Sequence, residues 1–222
     1  MKSLYKCALF AFAVLLSNSA NASVIADSVA DFSGTQGYKN WYYGYFKGPF
    51  TSSAFTEMTH FYPQYDWPMW LRSEGEYWTA LWDRGGHPNG AITSTGRRPE
   101  ENWTVRRWVS PVDGMISISG ILAQAGWGSG VPTSPVGTDL DYGHTYDQIL
   151  VDGIKVFSSS SFLNGNYTVS ALVHVGSTVD FAIAPSPRDF RDQTTFTARI
   201  SATDVPEPAA LALFSAGLGG LL

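Results

Sequence analysis

The chain is poor in cysteine, and the one it has lies close to the start. Cys7 is the only cysteine among the 222 residues, so no disulfide framework can hold the protein together. The same count gives no support to a cysteine nucleophile. If the first residues are removed, the remaining chain has no cysteine. Its stability must then come from the burial of a core or from bound ions.

Charge is also sparse, and neither sign dominates. Lysine and arginine number 14, and aspartate and glutamate number 19, which gives a net charge of −5 at pH 7. The largest basic clusters are the pairs Arg97-Arg98 and Arg106-Arg107. Because phosphate binding needs a concentrated basic face, nucleic acid is not expected as a partner. The four histidines lie far apart and no Gly-x-Ser-x-Gly motif occurs, so neither zinc nor a serine nucleophile is indicated.

Glycine, serine, threonine and aromatic residues are abundant, as is typical of an extracellular β protein with many turns. Residues Met115–Gly120 alternate apolar and polar side chains, which predicts a strand with one wet face. Asp152-Gly153 separates two β-branched runs and predicts a hairpin turn with positive φ at both positions. Further strands are predicted at residues Tyr77–Trp82, Arg106–Ser110, Tyr167–Val175, Thr178–Ile183 and Thr194–Ile200.

Short turns join these strands, and no amphipathic helix separates them. Such spacing favours antiparallel pairing in two packed sheets. We therefore expect an all-β fold, an antiparallel β-sandwich that is jelly-roll-like, formed by one domain over residues 23–203. An immunoglobulin-like sandwich is the alternative.

The first residues have the pattern of a secretory signal peptide. Lys2 and Lys6 give a basic start, an apolar stretch runs over Ala8–Leu16, and small residues follow at Ala20 and Ala22. This order is that of a signal peptide with its cleavage site. We expect residues 1–22 to be removed during export by the Sec machinery, with cleavage after Ala22.

The last residues, 204–222, combine a short motif with an apolar run. Val205, Pro206, Glu207 and Pro208 are followed by residues without one charge. This segment resembles the PEP-CTERM sorting signal of Gram-negative bacteria, which exosortase enzymes recognise at the membrane. The resemblance implies an exosortase partner, transient membrane contact through the tail, and delivery to the cell envelope, the surface or the extracellular matrix.

A second resemblance covers the domain itself. It is carried by Phe32–Gly37, Trp41–Gly44, Arg107–Pro111 and Phe181–Ile183. These segments are similar to a recurrent domain of uncharacterised exported bacterial proteins that often have PEP-CTERM tails. The similarity supports the all-β fold, and no activity is attached to it.

Aromatic side chains provide the first candidate binding site. Seven of the eight tryptophans lie between Trp41 and Trp108. Aromatic rings stack on the apolar faces of sugars, so a glycan is the first ligand to consider. Trp67 and Trp70 flank a proline, and Trp127 lies among glycines, which makes these three the candidate glycan-binding residues. The alternative is that the large rings fill the core.

Carboxylates provide two further candidates. Glu74 and Glu76 share one face if they lie in a strand, and a glycoside hydrolase needs two such groups facing each other. Asp139, Asp141 and Asp147 are close in sequence among glycines, and oxygen ligands in a flexible loop suit Ca²⁺. Solvated acidic residues are the alternative in both cases. No other cofactor is expected.

These features favour a non-catalytic binding or structural function, with glycan as the first ligand. The alternatives are a hydrolase that acts on polysaccharide and an adhesin or matrix protein that has no specific small ligand.

Overall fold

Two antiparallel sheets, here named sheet A and sheet B, form a β-sandwich. The computed structural model describes residues 22–48, 55–63, 68–92, 99–125, 145–161, 165–186 and 192–203, all within the unit Ala22–Thr203. Sheet A consists of β1 (Ala22–Asp27), β4 (His60–Tyr62), β5 (Met69–Leu71), β6 (Ala80–Trp82), β7 (Gly85–His87), β9 (Gly114–Gln124), β12 (Gly165–Val173), β14 (Thr194–Phe196) and β15 (Arg199–Thr203). Sheet B consists of β2 (Trp41–Lys47), β3 (Thr56–Glu57), β8 (Asn102–Val109), β10 (Thr145–Val151), β11 (Ile154–Ser160) and β13 (Thr178–Pro185).

The order of the strands shows how the chain builds the two sheets. Sheet A runs β1-β15-β9-β14-β7-β6-β5-β4, with β12 on the other edge of β9. Sheet B runs β11-β10-β13-β8-β2-β3. From β8 onward the chain passes repeatedly from one sheet to the other, a connectivity that Greek-key and jelly-roll sandwiches share. The structure confirms the predicted antiparallel β-sandwich.

Within the described ranges, no helix reaches the length and apolar character needed to cross a membrane.

The core lies between the sheets and forms because the strands alternate. In β9, Ile116 and Ile118 are buried, whereas Ser117 and Ser119 lie on the opposite, wetter face. Sheet B contributes the fully buried rings of Trp41, Tyr43 and Trp108 and the side chains of Ile149, Val179 and Phe181. A fully buried aromatic or branched side chain stabilises the fold by about 1.5–3 kcal/mol, which suits a domain without disulfides.

The hairpin predicted at Asp152-Gly153 is present between β10 and β11. Asp152 has φ 50° and Gly153 has φ 78°, so both turn residues adopt the left-handed conformation expected of this turn. Asp152 also accepts a hydrogen bond from the Thr178 backbone N–H at 2.8 Å. The side chain thus ties the turn to the beginning of β13.

Two predicted strands differ from the structure. The first half of Tyr77–Trp82 forms turns, and β6 begins at Ala80. The predicted strand Thr194–Ile200 is two strands, because the chain leaves the ladder at Thr197. There the Thr197 carbonyl lies so close to Gly120 that a Cβ on that residue would be 1.9 Å from its oxygen. The Tyr167 hydroxyl also donates to this carbonyl at 2.6 Å.

Candidate functional site

A groove of about 410 Å³ lies where β14 ends and β15 begins. Strand β9 lines it with residues 119–121, β12 with residues 166–168, and the break in sheet A with residues 197–199. Asp27, Val29 and Arg84 complete the lining. Ser119 and Ile121 alternate with buried Ile118 and Leu122, so the groove is on the face of sheet A that points away from the core. Its volume lies within the range of small-molecule sites.

Three polar side chains of this groove are left unused by the described part of the fold. Asn166, Thr168 and Ser119 make no side-chain hydrogen bond with the described part of the chain, and Thr168 lies directly opposite Ser119 across the β12–β9 ladder. An amide and two hydroxyls together offer several donors and acceptors. They are therefore free to bind a polar ligand, with the exposed side chain of Ile121 beside them.

Two guanidinium groups lie at the groove. Arg84 is in the turn between β6 and β7, and its side chain is 54% exposed. Arg199 begins β15, and its side chain is 63% exposed. The Nε of Arg84 lies 3.8 Å from a carboxylate oxygen of Asp83, and the Nε of Arg199 lies 3.8 Å from one of Asp27. Both separations are beyond hydrogen-bonding distance.

The carboxylate of Asp27 is engaged in local structure. Its Oδ1 accepts hydrogen bonds from the backbone N–H groups of Val29 at 3.0 Å and Ala30 at 3.1 Å. These bonds hold the turn that follows β1. Asp27 is thus a poor candidate for binding a ligand by itself, and it neutralises Arg199 only partly.

A third guanidinium is buried between the sheets near the groove. Arg106, on β8, is 2% exposed, and its Nη2 donates to the carbonyl of Trp82 at 2.5 Å. Its Nε has no hydrogen-bond partner within the described residues. Burial lowers the pKa of Arg106, and the phenol groups of Tyr43 and Tyr167 and the carboxylates of Asp83 and Asp27 oppose that shift. Three of these four groups belong to the groove or adjoin it.

Tyr167 connects the groove with this interior charge. Burial raises the pKa of its phenol, and the positive charge of Arg106 lowers it. The hydroxyl is therefore neutral at physiological pH and serves as a donor to the Thr197 carbonyl. In this way Tyr167 holds open the break in sheet A that shapes the groove.

A smaller depression of about 260 Å³ adjoins the groove across β12. It shares residues 166–168 with the groove and adds Leu122, Phe157 and the serines at 159 and 160. Phe157 is partly exposed, and its ring lies 5.1 Å from that of Tyr167. Edge strand β12 is therefore flanked by two depressions, one of which offers an aromatic ring.

The position of Trp70 contradicts its selection as a surface ring for glycan. It is 5% exposed and stacks on Tyr43 with ring centroids 5.7 Å apart. Its indole Nε1 donates to the Ser33 carbonyl at 2.8 Å. The loop with Pro68 ends before β5, and this strand directs the ring into the core between the sheets, against Tyr43 of β2. The other two candidates, Trp67 and Trp127, lie outside the described residues.

The position of Asp147 contradicts its assignment to a calcium-binding loop. It lies within β10, is fully buried, and accepts hydrogen bonds from the Thr145 hydroxyl at 2.9 and 3.0 Å. Burial raises the pKa of Asp147 well above the usual range, so its carboxyl tends to the neutral form, which is a weak cation ligand. Asp139 and Asp141 lie outside the described residues. Among the residues that are described, no group of three or more His, Cys, Asp or Glu could hold a metal ion.

The acidic pair considered for hydrolysis does not lie in a strand. Glu74 is exposed in a turn before β6. Glu76 pairs with Arg72 at 2.8 Å, and Arg72 also pairs with Glu100 at 2.7 Å. Burial lowers the pKa of Arg72, but its two carboxylate partners outweigh burial and raise it. Glu76 thus belongs to an ion-pair group that holds Arg72.

The residues of the two sorting segments are only partly within the structure. Ala22 is the first residue of β1 and lies opposite Thr203 of β15. Ala20 and the motif Val205, Pro206, Glu207 and Pro208 lie outside the described residues.

Sequence reasoning missed the residues that form the groove, because they come from five separate segments. The available signal was the run of small polar residues at outward positions of two predicted strands, Ser117 and Ser119 on β9 and Thr168 and Ser170 on β12. From alternation alone, such residues are predicted to form a solvated face. In the structure, the break at Thr197 shapes part of that face into a groove.

No protein-family model matches this chain, and no curated protein is similar to it.

Proposed function

We propose that this chain is an exported surface or matrix protein that binds glycan without catalysis, at the groove on sheet A. The observation that supports this proposal is the groove itself, with side chains of Asn166, Thr168 and Ser119 that the fold leaves unused. Sugars present hydroxyl groups that donate and accept hydrogen bonds, and amides and hydroxyls match both roles. The C–H faces of a sugar ring can pack against Ile121 and, across β12, Phe157.

The carboxylate content of the groove favours binding over hydrolysis. Glycoside hydrolysis needs an acid and a second carboxylate on opposite sides of the scissile bond. Asp27 is the carboxylate among the described residues that line the groove, and it holds a turn. A polysaccharide hydrolase remains the alternative, as does a matrix protein or adhesin that has no specific ligand.

A pair of tryptophan substitutions on β12 tests the site. Thr168→Trp places an indole in the groove, whereas Ser170→Trp places one two residues further along the same outward face, beyond the lining residues. In affinity electrophoresis through polysaccharide gels, we expect the unchanged chain and Ser170→Trp to be retarded and Thr168→Trp to migrate freely. Equal retardation of both variants would contradict the assignment of glycan binding to the groove.

The same gels separate the alternative functions. Shortening of the polymer during incubation would contradict a non-catalytic role. No retardation in any polysaccharide would favour the purely structural alternative. Both variants should have the melting temperature of the unchanged chain within a few degrees, because an aromatic residue is well accommodated on an exposed strand.

The export part of the proposal rests on the two ends of the sequence. We expect the mature protein to begin at Ser23, which sequencing of its N-terminus would show. Changing Pro206, Glu207 and Pro208 to alanine should leave the protein membrane-associated or degraded. A control that changes Pro132 and Pro135 to alanine alters prolines outside the motif. Normal surface display of the triple variant would contradict sorting through this motif.

A further inference from the structure

We propose that the groove on sheet A takes an anionic polysaccharide and binds its carboxylate or sulfate groups through Arg84 and Arg199. The inference rests on the proposed glycan-binding function and names the ligand class of the same site. It is drawn from the charged side chains that line the groove, two arginines and one aspartate among the described residues, whose net sign is opposite to that of the whole chain.

The two exposed arginines keep their donors available. Neither guanidinium makes a hydrogen bond with the described part of the chain, and each meets its nearest carboxylate at 3.8 Å. A guanidinium presents its N–H donors in a fork that matches the two oxygens of a carboxylate or sulfate. An anionic group on a polymer in the groove can therefore form paired hydrogen bonds without breaking any within the protein.

Arg106 adds positive charge from beneath the groove. Within the described part of the chain it has no carboxylate at hydrogen-bonding distance, and it interacts electrostatically with Tyr167, Asp27 and Asp83. A charge surrounded by protein is screened less than one in water, so its field extends further. A ligand anion in the groove gains from this field, whereas a neutral sugar does not.

The carboxylates nearby do not cancel these three cations. Among the described residues, the two carboxylates of Asp27 and Asp83 face the three guanidinium groups, and Asp27 is already hydrogen-bonded to the backbone of its turn. Asp31, which accepts a hydrogen bond from the Asp27 N–H at 2.8 Å, is paired with Lys39 at 2.6 Å. The local balance is therefore positive, and electrostatic complementarity favours an anionic ligand.

Polymers that differ only in charge provide the test. The full chain is titrated with polygalacturonate and with its methyl ester, and in parallel with dextran sulfate and dextran, at fixed low salt. We expect at least one anionic polymer to bind about tenfold more tightly than its neutral counterpart, since charged hydrogen bonds are roughly twice as strong as neutral ones. Binding should weaken as salt increases, because exposed charges are screened.

Matched variants assign the effect to the groove. The double variant Arg84→Gln and Arg199→Gln should lose about tenfold in affinity for the anionic polymer and little for the neutral one. Lys155→Gln removes an exposed cation from β11, away from the groove, and should bind as the unchanged chain does. Arg84→Lys with Arg199→Lys keeps the charge but not the fork, and should recover the affinity only in part.

Each other outcome overturns a defined statement. Equal binding of anionic and neutral polymers overturns this inference and leaves the proposed glycan-binding function standing. Binding of neither type overturns both. If Lys155→Gln loses as much affinity as the double arginine variant, or if polyglutamate binds as tightly as the anionic polysaccharide, the whole surface attracts polyanions. Either result overturns the assignment to the groove.

Discussion

Replacing Arg106 with methionine should make the protein more stable, although it removes hydrogen bonds. Arg106 is among the largest fully buried side chains, and it links sheet B to sheet A by donating to the Trp82 carbonyl at 2.5 Å. A second contact, to the Phe196 carbonyl at 3.5 Å, is too long to contribute much. Methionine fills a similar volume with an apolar and adaptable chain.

The magnitude follows from two opposing effects. Loss of the charged hydrogen bond to Trp82 destabilises the protein by about 1.5–3 kcal/mol. Removing a buried charge that has no carboxylate partner among the described residues recovers several kcal/mol, roughly 4–5. The net expectation is a stabilisation of about 1–3 kcal/mol, which for a domain of this size raises the melting temperature by roughly 2–4 °C per kcal/mol. Arg106→Ala should instead destabilise, because it leaves a cavity.

Urea unfolding at pH 7 measures the effect, with thermal unfolding as a second readout. A shift of the midpoint at constant slope reports a change in stability. A methionine variant that is less stable than the unchanged chain by more than about 1 kcal/mol would refute the reasoning, because hydrogen bonding would then outweigh the cost of burying the charge. The same variant should bind an anionic polymer more weakly.

Three further predictions concern Asp147, the Arg107–Asp180 pair and Gly120. Burial raises the pKa of Asp147. The free energy of unfolding should therefore fall as pH rises above the pKa of an unfolded aspartate, about 4. Asp147→Asn should make this fall smaller, as measured by urea midpoints between about pH 4 and 8. Arg107→Met should destabilise the protein by about 3–5 kcal/mol. It leaves buried Asp180 without the two hydrogen bonds from the Arg107 guanidinium, at 2.7 and 2.9 Å. Adding Asp180→Asn should restore much of the lost stability. Gly120→Ala should lower the melting temperature and narrow the groove, because its Cβ would meet the Thr197 carbonyl at 1.9 Å.

Each expectation has a clear opposing result. An Asp147→Asn variant with the same pH dependence as the unchanged chain would show that this carboxyl does not control it. An Asp180→Asn change that adds its own loss to that of Arg107→Met would show that the two side chains act independently. A Gly120→Ala variant of unchanged stability would mean that the ladder moves aside without cost. Gly153, where no atom lies within 4 Å of an added Cβ, provides a comparison governed by φ alone.

Local patterns predicted the fold because the signals that define strands are local. The alternating residues Met115–Gly120 lie in β9, and the turn at Asp152-Gly153 has the expected conformation. These patterns depend on which side of a strand is wet and on which residues tolerate positive φ, and both can be read from a few neighbouring residues.

The groove and the surroundings of the tryptophans depend on distant contacts, so the sequence could not predict them. The break at Thr197 requires Gly120 and Tyr167, which come from other strands. Trp70 lies close to Pro68 in the sequence, and the sequence alone did not show that its ring would face the core and stack on Tyr43 of the other sheet. Arg106 looked like one of a basic pair, although alternation places it inside the sandwich and its neighbour Arg107 toward the opposite face.

The pairing of β1 with β15 has a mechanical consequence. Thr203 lies at one end of this ladder and Arg199, at the groove, lies at the other, about 13 Å away at roughly 3.3 Å per residue. If a polymer holds the groove while the residues after Thr203 hold the chain, tension runs lengthwise along β15. The hydrogen bonds to β1 and β9 are perpendicular to that direction, so they carry the load together in shear. They do not open one after another, as they would if β15 were peeled from its edge.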